Sequence, residues 1–531
     1  MTDEIRSLGD RDLRVLPDLA IYSYLHFGSY PMVIYEDQQD LRRYTNVDIA
    51  REAAQLGLGL QKLGIERGDR VIVMMLNSPE VIIAYQGIPR AGGIIIPVLP
   101  LLKPPEVRYI AENSGAKAVI TSPILVPMLC SALADVPTMQ HIITTGDAGS
   151  DTSGHPRLHA YRDVVSMGAA KAEHFLSRDD EVLLDQDDTA VIIYTSGTTG
   201  NPKGVILTHR NLIANALSGR GELPAIRDEE THLAILPLAH AYGILVSNVA
   251  FLTGSTTVLH PRFDTTAVFA AIERYHIAGF AGVPAMFVAL LYSPDADKYD
   301  TSSLKQCVSG SAPLPVAILE GFEKKFGCKI LEGYGLTEGS AALTGHSLEM
   351  EQRQGSVGKP LSNVEVLVVD NNDQPVPVGE IGEVIARGPN VMKGYYNMPE
   401  ETAAALRNGW LHTGDLGRCD EDGYLYIVGR KKDLIIRGGF NIYPVDIEEV
   451  LNKHPEVIES AVVGIPSQRM GEEVKAFVVT RSPVDAETLK AYCQEALANY
   501  KTPSEIEFVD ALPRNPIGKI DKKELRKRYV H

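Results

Sequence analysis

Apolar side chains recur at intervals of three and four residues between positions 49 and 63, which is the period of one buried helical face. Asn46 is the predicted N-terminal cap of this helix, and Gly64 is its predicted end. Continuous apolar runs at 70–76 and 94–98 predict two strands that are buried on both faces. Helices that alternate with such strands predict a largely parallel sheet covered by helices.

The same alternation continues through the middle of the chain. Asn77-Ser78-Pro79 supplies a cap and a first-turn proline for another predicted helix. Further strands are predicted at 118–120, 141–144, 190–194, 255–259, 277–279, 306–309 and 329–334. From 364 to 387, short segments separated by turn residues predict an antiparallel section. The pattern of apolar and polar residues changes again after Arg430. We therefore predict an N-terminal domain at 1–430 and a C-terminal domain at 431–531. The chain as a whole is predicted to be of the α/β class.

Composition narrows the class of function. The chain has 531 residues, of which 51 are Lys or Arg and 68 are Asp or Glu, so its formal net charge is −17. This acidic balance argues against a basic face for nucleic acid, so we expect no nucleic-acid partner. Five widely spaced cysteines without a C-x-x-C pair predict neither a disulfide framework nor a zinc site. With no signal-peptide pattern and no apolar run long enough to span a bilayer, we predict a cytoplasmic protein without an integral membrane segment.

The densest candidate chemistry is the segment 194–204, which follows a predicted strand. Its glycines allow backbone N–H groups to approach an anion, its hydroxyls can donate to phosphate oxygens, and Lys203 adds a positive charge. Loops that hold phosphate occupy this place in open α/β sheets. The spacing differs from that of a Walker A loop, because Asn201 and Pro202 separate Gly200 from Lys203. A Gly/Thr-rich surface loop without a ligand is the alternative.

Two weaker segments offer complementary groups. In Gly333-Tyr334-Gly335 an aromatic ring stands between glycines at the end of a predicted strand, where it could stack on a base. Thr337 and Glu338 follow, and their oxygens suit a phosphate and Mg²⁺. In the segment 409–415, Asp415 lies in a predicted tight turn and could accept both hydroxyls of a ribose. Taken alone, each pattern is more often a plain turn.

Taken in order, these segments resemble the motifs of the adenylate-forming superfamily, which includes acyl-CoA synthetases, peptide-synthetase adenylation domains and beetle luciferases. The resemblance is carried by the segments 195–204, 333–338, 409–415, 426–433 and 513–519 and extends from about Tyr44 to the C-terminus. It implies a large N-terminal domain of stacked α/β subdomains with a β-rich section, and a small mobile α+β C-terminal domain. It also implies two half-reactions. ATP and a carboxylic acid give an acyl-adenylate and pyrophosphate, and coenzyme A (CoA) then accepts the acyl group.

The resemblance assigns roles residue by residue. Residues expected to bind ATP or AMP are Thr195, Ser196, Gly197, Thr198, Thr199, Lys203, Gly333, Tyr334, Gly335, Thr337, Asp415, Arg430 and Lys519. The expected catalytic residues are Lys519, Thr337, Glu338 and His240. Glu338 is the expected ligand of Mg²⁺, Lys432 is the expected hinge of the C-terminal domain, and Gly438-Gly439-Phe440 is the expected CoA-binding segment. Without the resemblance, Lys519 would be interpreted as a solvated lysine in a basic stretch.

The acid and the acceptor are open to several interpretations. The residues expected to bind the acyl group are His240, Gly310, Ser311, Ala312 and Gly335. No anionic residue stands beside His240, so the ammonium group of an amino-acid substrate would be left unpaired, and small uncharged residues favour an apolar tail. We predict a medium- or long-chain fatty acid, with an aryl or coumarate-type acid as the alternative. Free CoA is the predicted acceptor, and a carrier protein is the alternative.

Two interpretations stay open beside these. His240 is either a packed histidine or a residue that lines or gates the acyl site. A non-catalytic nucleotide-binding protein with the same fold is the alternative to an enzyme, and the presence of Lys519 argues against it. A symmetric dimer is expected only because many proteins of this size form one.

Overall fold

The computed structural model describes residues 13–37, 40–147, 157–169, 182–195, 202–222, 230–514 and 519–528. The helices are α1 (Leu16–Phe27), α2 (Asn46–Lys62), α3 (Pro79–Arg90), α4 (Pro104–Ser114), α5 (Val126–Ala132), α6 (Tyr161–Gly168), α7 (His209–Glu222), α8 (Ala241–Thr253), α9 (Thr265–Tyr275), α10 (Pro284–Leu291), α11 (Val316–Phe326), α12 (Pro399–Ala405), α13 (Pro444–Asn452), α14 (Ala486–Ala496) and α15 (Lys522–Lys527).

The strands that accompany these helices are short and mostly buried. They are β1 (Pro31–Asp37), β2 (Asp40–Thr45), β3 (Arg70–Met74), β4 (Ile94–Pro97), β5 (Ala118–Thr121), β6 (His141–Thr144), β7 (Leu158–Ala160), β8 (Thr189–Thr195), β9 (Lys203–Thr208), β10 (Thr231–Ala234), β11 (Thr256–Leu259), β12 (Gly279–Gly282), β13 (Gln306–Ser309), β14 (Lys329–Tyr334), β15 (Thr344–Gly345), β16 (Lys359–Pro360), β17 (Glu365–Val369), β18 (Gly382–Arg387), β19 (Gly394–Tyr395), β20 (Leu411–Cys419), β21 (Leu425–Arg430), β22 (Ile435–Arg437), β23 (Phe440–Ile442), β24 (Val457–Ser467), β25 (Gly471–Thr480) and β26 (Glu505–Phe508).

Two large sheets with parallel cores form the body of the molecule. The first has the order β19-β9-β8-β4-β3-β5-β6-β7, and its pairs from β8 to β7 are parallel. The second has the order β16-β15-β14-β13-β12-β10-β11-β1-β2, and its pairs from β14 to β1 are parallel. The parallel α/β organisation predicted from the alternating pattern is therefore confirmed, although the strands divide between two sheets.

Two smaller sheets follow along the chain. β17, β18, β20 and β21 form an antiparallel sheet, as the turn-rich pattern after residue 364 predicts. β23, β22, β25 and β24 form the last sheet, with β26 paired to β25. This sheet and its helices bury their own apolar clusters, which include Ile447, Val462, Val474 and Phe477. The C-terminal segment thus has a hydrophobic core of its own.

Two local predictions need correction. The first long helix is capped by Thr45, whose hydroxyl accepts the Asp48 N–H, because Asn46 uses its side-chain oxygen to accept the Tyr30 N–H at 3.1 Å. The strand predicted at 277–279 begins at Gly279 instead, because Ile277 donates its N–H to a carbonyl of the preceding helix and completes the turn that ends it. In both places a contact outside the local pattern decides the boundary.

Asn77, in the segment predicted to supply a helix cap, ties the two large sheets together, while Ser78 of the same segment takes the cap position of α3. Its side-chain Nδ2 donates to the Leu236 carbonyl oxygen at 2.9 Å and to the His260 carbonyl oxygen at 3.2 Å. Its Oδ1 accepts the Leu238 N–H at 2.8 Å. The side chain is buried, and it fixes the chain just before His240. This amide therefore connects the end of β3 to the segment that follows β10.

Asn77→Ala is expected to lower the free energy of unfolding by about 3 kcal/mol, because it leaves buried backbone groups without partners. Urea unfolding followed by circular dichroism measures the loss. Asn372→Ala, at an exposed turn position, is the control and is expected to change the free energy by less than about 0.5 kcal/mol. Equal losses in the two variants would contradict the role given to Asn77.

Candidate active site

A cavity of about 790 Å³ opens where the carboxyl ends of several strands meet the C-terminal segment. Its walls come from the turns after β4, β13 and β14, from the ends of β8 and β21, and from Lys519. Predicted site residues on its walls are Thr195, Lys203, His240, Gly310, Ser311, Gly333, Tyr334, Gly335, Thr337, Glu338, Asp415, Arg430, Lys432 and Lys519. Ser196, Gly197, Thr198 and Thr199 lie outside the described residues.

The turn after β14 is held in a conformation that few residue types allow. A Cβ atom at Gly335 would lie 1.9 Å from the Ala341 carbonyl oxygen, so this position admits only glycine. Ser340 and Ala341 have φ values of 61° and 111°, and Ser311 on the facing turn has a φ of 74°. Positive φ at residues other than glycine costs free energy and concentrates at functional sites. The residues with positive φ named above lie around the cavity.

Tyr334, Asp415 and Arg430 form a cluster on one wall, in which Asp415 is buried and the Arg430 side chain is about half exposed. The Tyr334 hydroxyl donates to Asp415 Oδ2 at 2.6 Å, and Arg430 Nε lies 3.2 Å from Asp415 Oδ1. Burial raises the pKa of Asp415, while the Arg430 guanidinium opposes that rise. Burial also holds the pKa of Tyr334 well above its usual value. The cluster therefore presents a flat ring and an oriented carboxyl group to the same space.

Lys519 brings an ammonium group into the same cavity. Burial lowers the pKa of Lys519 to about 8, and the neighbouring Arg430 charge adds to this effect. The Asp415 and Glu338 carboxylates act in the opposite direction and favour the charged form. A cation that is held in a desolvated site is well suited to stabilise negative charge on a phosphoryl group.

If Lys519 serves acyl-adenylate formation, as the resemblance implies, its low pKa predicts a pH profile for that step. Lysine is cationic below its pKa, so kcat/KM for ATP is expected to fall as pH rises through about 8, close to tenfold per pH unit beyond it. Pyrophosphate release between pH 6.5 and 9.5, in a constant-ionic-strength buffer, measures the profile. Lys519→Arg is the control, because arginine stays charged over this range and its own profile should lack the descending limb. A wild-type rate that is constant to pH 9.5 would contradict the assignment.

His240 serves the fold and also faces the cavity. Its Nδ1 accepts the Tyr242 N–H at 3.2 Å at the start of α8. Burial lowers the pKa of His240 to about 4, and the nearby Lys519 charge adds to this effect. The ring is therefore neutral at pH 7, with its proton on Nε2, which makes that nitrogen a hydrogen-bond donor. The structure combines the packed and the lining interpretations of this residue.

Glu338 and Lys203 lie close to a residue that the sequence reasoning missed. The Tyr395 hydroxyl donates to Glu338 Oε1 at 2.8 Å, and Lys203 Nζ lies 5.2 Å from the centre of the Tyr395 ring. Thr337 is buried beside Glu338 on the cavity wall. Tyr395 is 57 residues from Glu338 in the sequence, so no local pattern connects the two.

Some of the residues predicted to bind the acyl group lie together on the cavity wall. Gly310, Ser311 and Gly335 line the cavity, whereas Ala312 does not. A Cβ atom at Gly310 would lie 3.2 Å from the ring of Tyr242, a wall residue not predicted as an acyl contact.

Glu332 was also missed as a site residue, although it directly precedes the segment 333–338. Its Oε2 accepts the Leu314 N–H at 3.3 Å, and the side chain lines the cavity. Burial raises the pKa of Glu332 to about 7.

The predicted CoA segment lies away from the cavity in this arrangement. Gly438 and Gly439 form the turn between β22 and β23, with φ values of 57° and 88°. The Phe440 ring is 56% exposed and stacks on Tyr500 at 4.7 Å between ring centres. The structure therefore presents Lys519, and not this turn, to the nucleotide side of the site. Lys432, the predicted hinge, is a solvent-exposed residue at the cavity wall, and partial desolvation lowers its pKa.

Comparison with known proteins decides the family. The model of the AMP-binding enzyme family matches residues 25–396, and the model of the AMP-binding enzyme C-terminal domain matches residues 446–519. The chain belongs to the AMP-binding enzyme family. It is an AMP-forming acyl-CoA synthetase, and ATP and CoA are its co-substrates.

The relatives of this synthetase differ in the acid that they use. A long-chain-fatty-acid–CoA ligase of Bacillus subtilis is 37% identical over 508 residues, covering 91% of this chain and 90% of that protein. A feruloyl-CoA synthase of Amycolatopsis sp. is 35% identical over 489 residues, covering 91% and 94%. The crystal structure of an anthranilate CoA ligase with anthranoyl-AMP has a TM-score of 0.88 and 29% identity, covering 98% of this chain and 99% of that one.

Two expected absences can be compared with the structure. Among the described residues, no helix combines the length and the apolar character needed to cross a bilayer. In the same part of the chain, no three His, Cys, Asp or Glu side chains come together as a metal cluster.

Proposed function

We propose that this synthetase activates a medium- or long-chain fatty acid. The observation that carries the proposal is the acyl side of the cavity, where Ala239, Ala241, Tyr242, Val308 and Gly310 offer no charged group. His240 beside them is neutral at pH 7. Such a wall suits an apolar tail and disfavours an ammonium or a second carboxylate. The similarity to a long-chain ligase supports the same choice.

An aryl acid is the second candidate, and a specific contact favours it. The Tyr242 ring packs against Gly310, and the Tyr242 hydroxyl lies 3.5 Å from the Val308 carbonyl oxygen, so the ring closes this end of the cavity. A flat acid would fit against that ring without displacing it. The similarity to a feruloyl-CoA synthase and to an anthranilate CoA ligase supports this candidate.

A competition experiment separates the two candidates. Equimolar octanoate, palmitate, ferulate and anthranilate are supplied together with limiting enzyme, ATP, Mg²⁺ and CoA, and the CoA thioesters are quantified by mass spectrometry. The proposal expects the fatty acyl thioesters to exceed the aryl thioesters at least tenfold. Tyr242→Ala should then shift the fatty acyl products towards the longer chain. An excess of feruloyl-CoA or anthraniloyl-CoA in the wild type would overturn the proposal in favour of the aryl candidate.

The proposed mechanism needs no side-chain base, because the substrate carboxylate is already an anionic nucleophile. Its oxygen forms a bond with the α-phosphorus of ATP, and the bond from that phosphorus to the leaving pyrophosphate breaks. Lys519 and Lys203 hold the growing negative charge, while Tyr334 and Asp415 position the base and the ribose. The CoA thiol then gives up its proton to water and its sulfur bonds to the acyl carbon. The bond from that carbon to the bridging oxygen breaks, so that AMP leaves with the former carboxylate oxygen.

Glu338 is the proposed contact for Mg²⁺. Glu338 lines the same cavity as Lys203 and Lys519, its charge acts on the Lys519 ammonium group, and a carboxylate oxygen is a ligand that Mg²⁺ prefers. When bound with ATP, the ion would neutralise part of the triphosphate charge. We further propose that residues 431–531 move about Lys432, so that the Gly438–Phe440 turn replaces Lys519 at the site for the second half-reaction.

A further inference from the structure

The segment from Asn390 to Tyr396, termed here the bridging segment, lies across the turn that carries Glu338. The Met392 N–H donates to the Glu338 carbonyl oxygen at 2.8 Å. Asn390 Nδ2 donates to the Gly339 carbonyl oxygen at 3.0 Å, and Asn390 is buried. The backbone around Glu338 is therefore fixed by the bridging segment and not only by its own strand.

The other end of the bridging segment is bound to the strand that begins with Lys203. The Lys393 N–H donates to the Ile206 carbonyl oxygen at 3.0 Å, and the Tyr396 N–H donates to the Gly204 carbonyl oxygen at 2.7 Å. These bonds make β19 an antiparallel neighbour of β9. One short segment thus links the phosphate-loop lysine in the first sheet to the Glu338 turn beyond the second.

Tyr395 is the residue of the bridging segment whose side chain faces both the Glu338 carboxylate and the Lys203 ammonium group. Its hydroxyl donates to Glu338 Oε1 at 2.8 Å, and its ring stands beside Lys203 Nζ at 5.2 Å from the ring centre. The Tyr395 N–H donates to Thr402 Oγ1 at 2.9 Å, which ties the strand to the start of α12. The ring also forms part of the cavity wall.

We propose that Tyr395 is a positioning residue that orients the Glu338 carboxylate and places the Lys203 ammonium, so that both act on the metal-bound triphosphate. The terminal torsion of a glutamate is soft, so an unrestrained carboxylate rotates freely. The Tyr395 hydroxyl occupies one oxygen and leaves the other available to a hard cation. The face of the ring attracts the lysine cation and limits its range.

This inference rests on the proposed roles of Glu338 and Lys203. Its test distinguishes a failure of those roles from a failure of the role given to Tyr395. Calorimetric titration of ATP into the full-length protein, without acid or CoA, is carried out over a series of Mg²⁺ concentrations and also in EDTA. Tyr395→Phe removes only the hydroxyl, and Tyr395→Leu removes the ring as well. Tyr396→Phe, which removes a hydroxyl from the next residue of the chain, is the matched control, and Glu338→Gln is the reference for loss of the metal ligand.

Tyr395→Phe is expected to raise the Mg²⁺ concentration that gives half of the maximal ATP affinity about tenfold, and to leave ATP binding in EDTA unchanged. Tyr395→Leu is expected to weaken ATP binding in EDTA about threefold as well, because the lysine loses its partner ring. Conversion of supplied acyl-adenylate to the CoA thioester should stay within twofold of wild type in both variants.

Three results would contradict the positioning role proposed for Tyr395. If Glu338→Gln shifts the Mg²⁺ dependence and Tyr395→Phe does not, the positioning role is wrong while the proposed function stands. If Tyr396→Phe matches Tyr395→Phe, or if the thioester half-reaction falls equally, the effect of Tyr395 is a general structural one. If neither Glu338→Gln nor Tyr395→Phe alters the Mg²⁺ dependence, the metal site itself lies elsewhere.

Discussion

Lys519→Ala is expected to lower acyl-adenylate formation about 10³-fold, the size of effect found when one group that stabilises developing charge is removed. Lys519 is a cation that the C-terminal segment places in the cavity, within the field of Asp415 and Glu338. Supplied acyl-adenylate should still react with CoA at a rate within threefold of wild type, because no bond to phosphorus forms or breaks in that step.

Rapid-quench measurements of pyrophosphate and, separately, of thioester from synthetic acyl-adenylate give the two rates. Lys523→Ala is the control, since Lys523 is exposed four residues further along the chain. It is expected to leave both half-reactions unchanged. An equal loss of the two half-reactions in Lys519→Ala would mean that Lys519 supports the site as a whole and does not serve adenylation in particular.

Asp415→Asn is expected to raise the KM for ATP about 10²-fold and to change kcat much less. The carboxylate accepts the Tyr334 hydroxyl at 2.6 Å and pairs with Arg430 at 3.2 Å, so its loss both removes the proposed ribose acceptor and frees the ring proposed to hold adenine. Hydrogen bonds to a charged group are worth about 1.5–3 kcal/mol each, which is the basis of the magnitude.

Steady-state kinetics with ATP as the varied substrate, together with calorimetric binding of ATP, measure the effect of Asp415→Asn. Asp510→Asn removes a carboxylate from an exposed position and is expected to behave as wild type. A KM for ATP that changes less than threefold in Asp415→Asn would remove this residue from the nucleotide site.

The sequence predicts the walls of the site better than the contacts between them. Gly310 follows a predicted strand and Tyr334 ends another, and the carboxyl ends of parallel strands meet at one edge of a sheet. Asp415, predicted in a tight turn, lies instead within β20, where it pairs with Arg430 of β21. The Tyr395–Glu338 bond has no such signal, because it depends on the pairing of a two-residue strand with β9. Long-range pairing of this kind leaves little trace in local periodicity.

Other differences also depend on contacts that lie outside the local sequence pattern. Asn77 fits a helix cap by its position, but its partners at Leu236, Leu238 and His260 come from another sheet, and no pattern around Asn77 indicates them. The place of the Gly438–Phe440 turn depends on how the C-terminal segment is oriented, and the sequence of that turn is the same in every orientation. The Ser196–Thr199 part of the phosphate loop stays a prediction, because it lies outside the described residues.

Oxygen tracing tests the central claim, attack of the acid on the α-phosphorus, most directly. The preferred acid is labelled with ¹⁸O in both carboxylate oxygens and is turned over with ATP, Mg²⁺ and CoA, after which AMP and pyrophosphate are analysed by mass spectrometry. The mechanism predicts that each AMP carries one ¹⁸O atom and that pyrophosphate carries none, because the oxygen bonded to phosphorus stays with AMP when the thiol takes the acyl group. Unlabelled AMP, or label in pyrophosphate or inorganic phosphate, would contradict it.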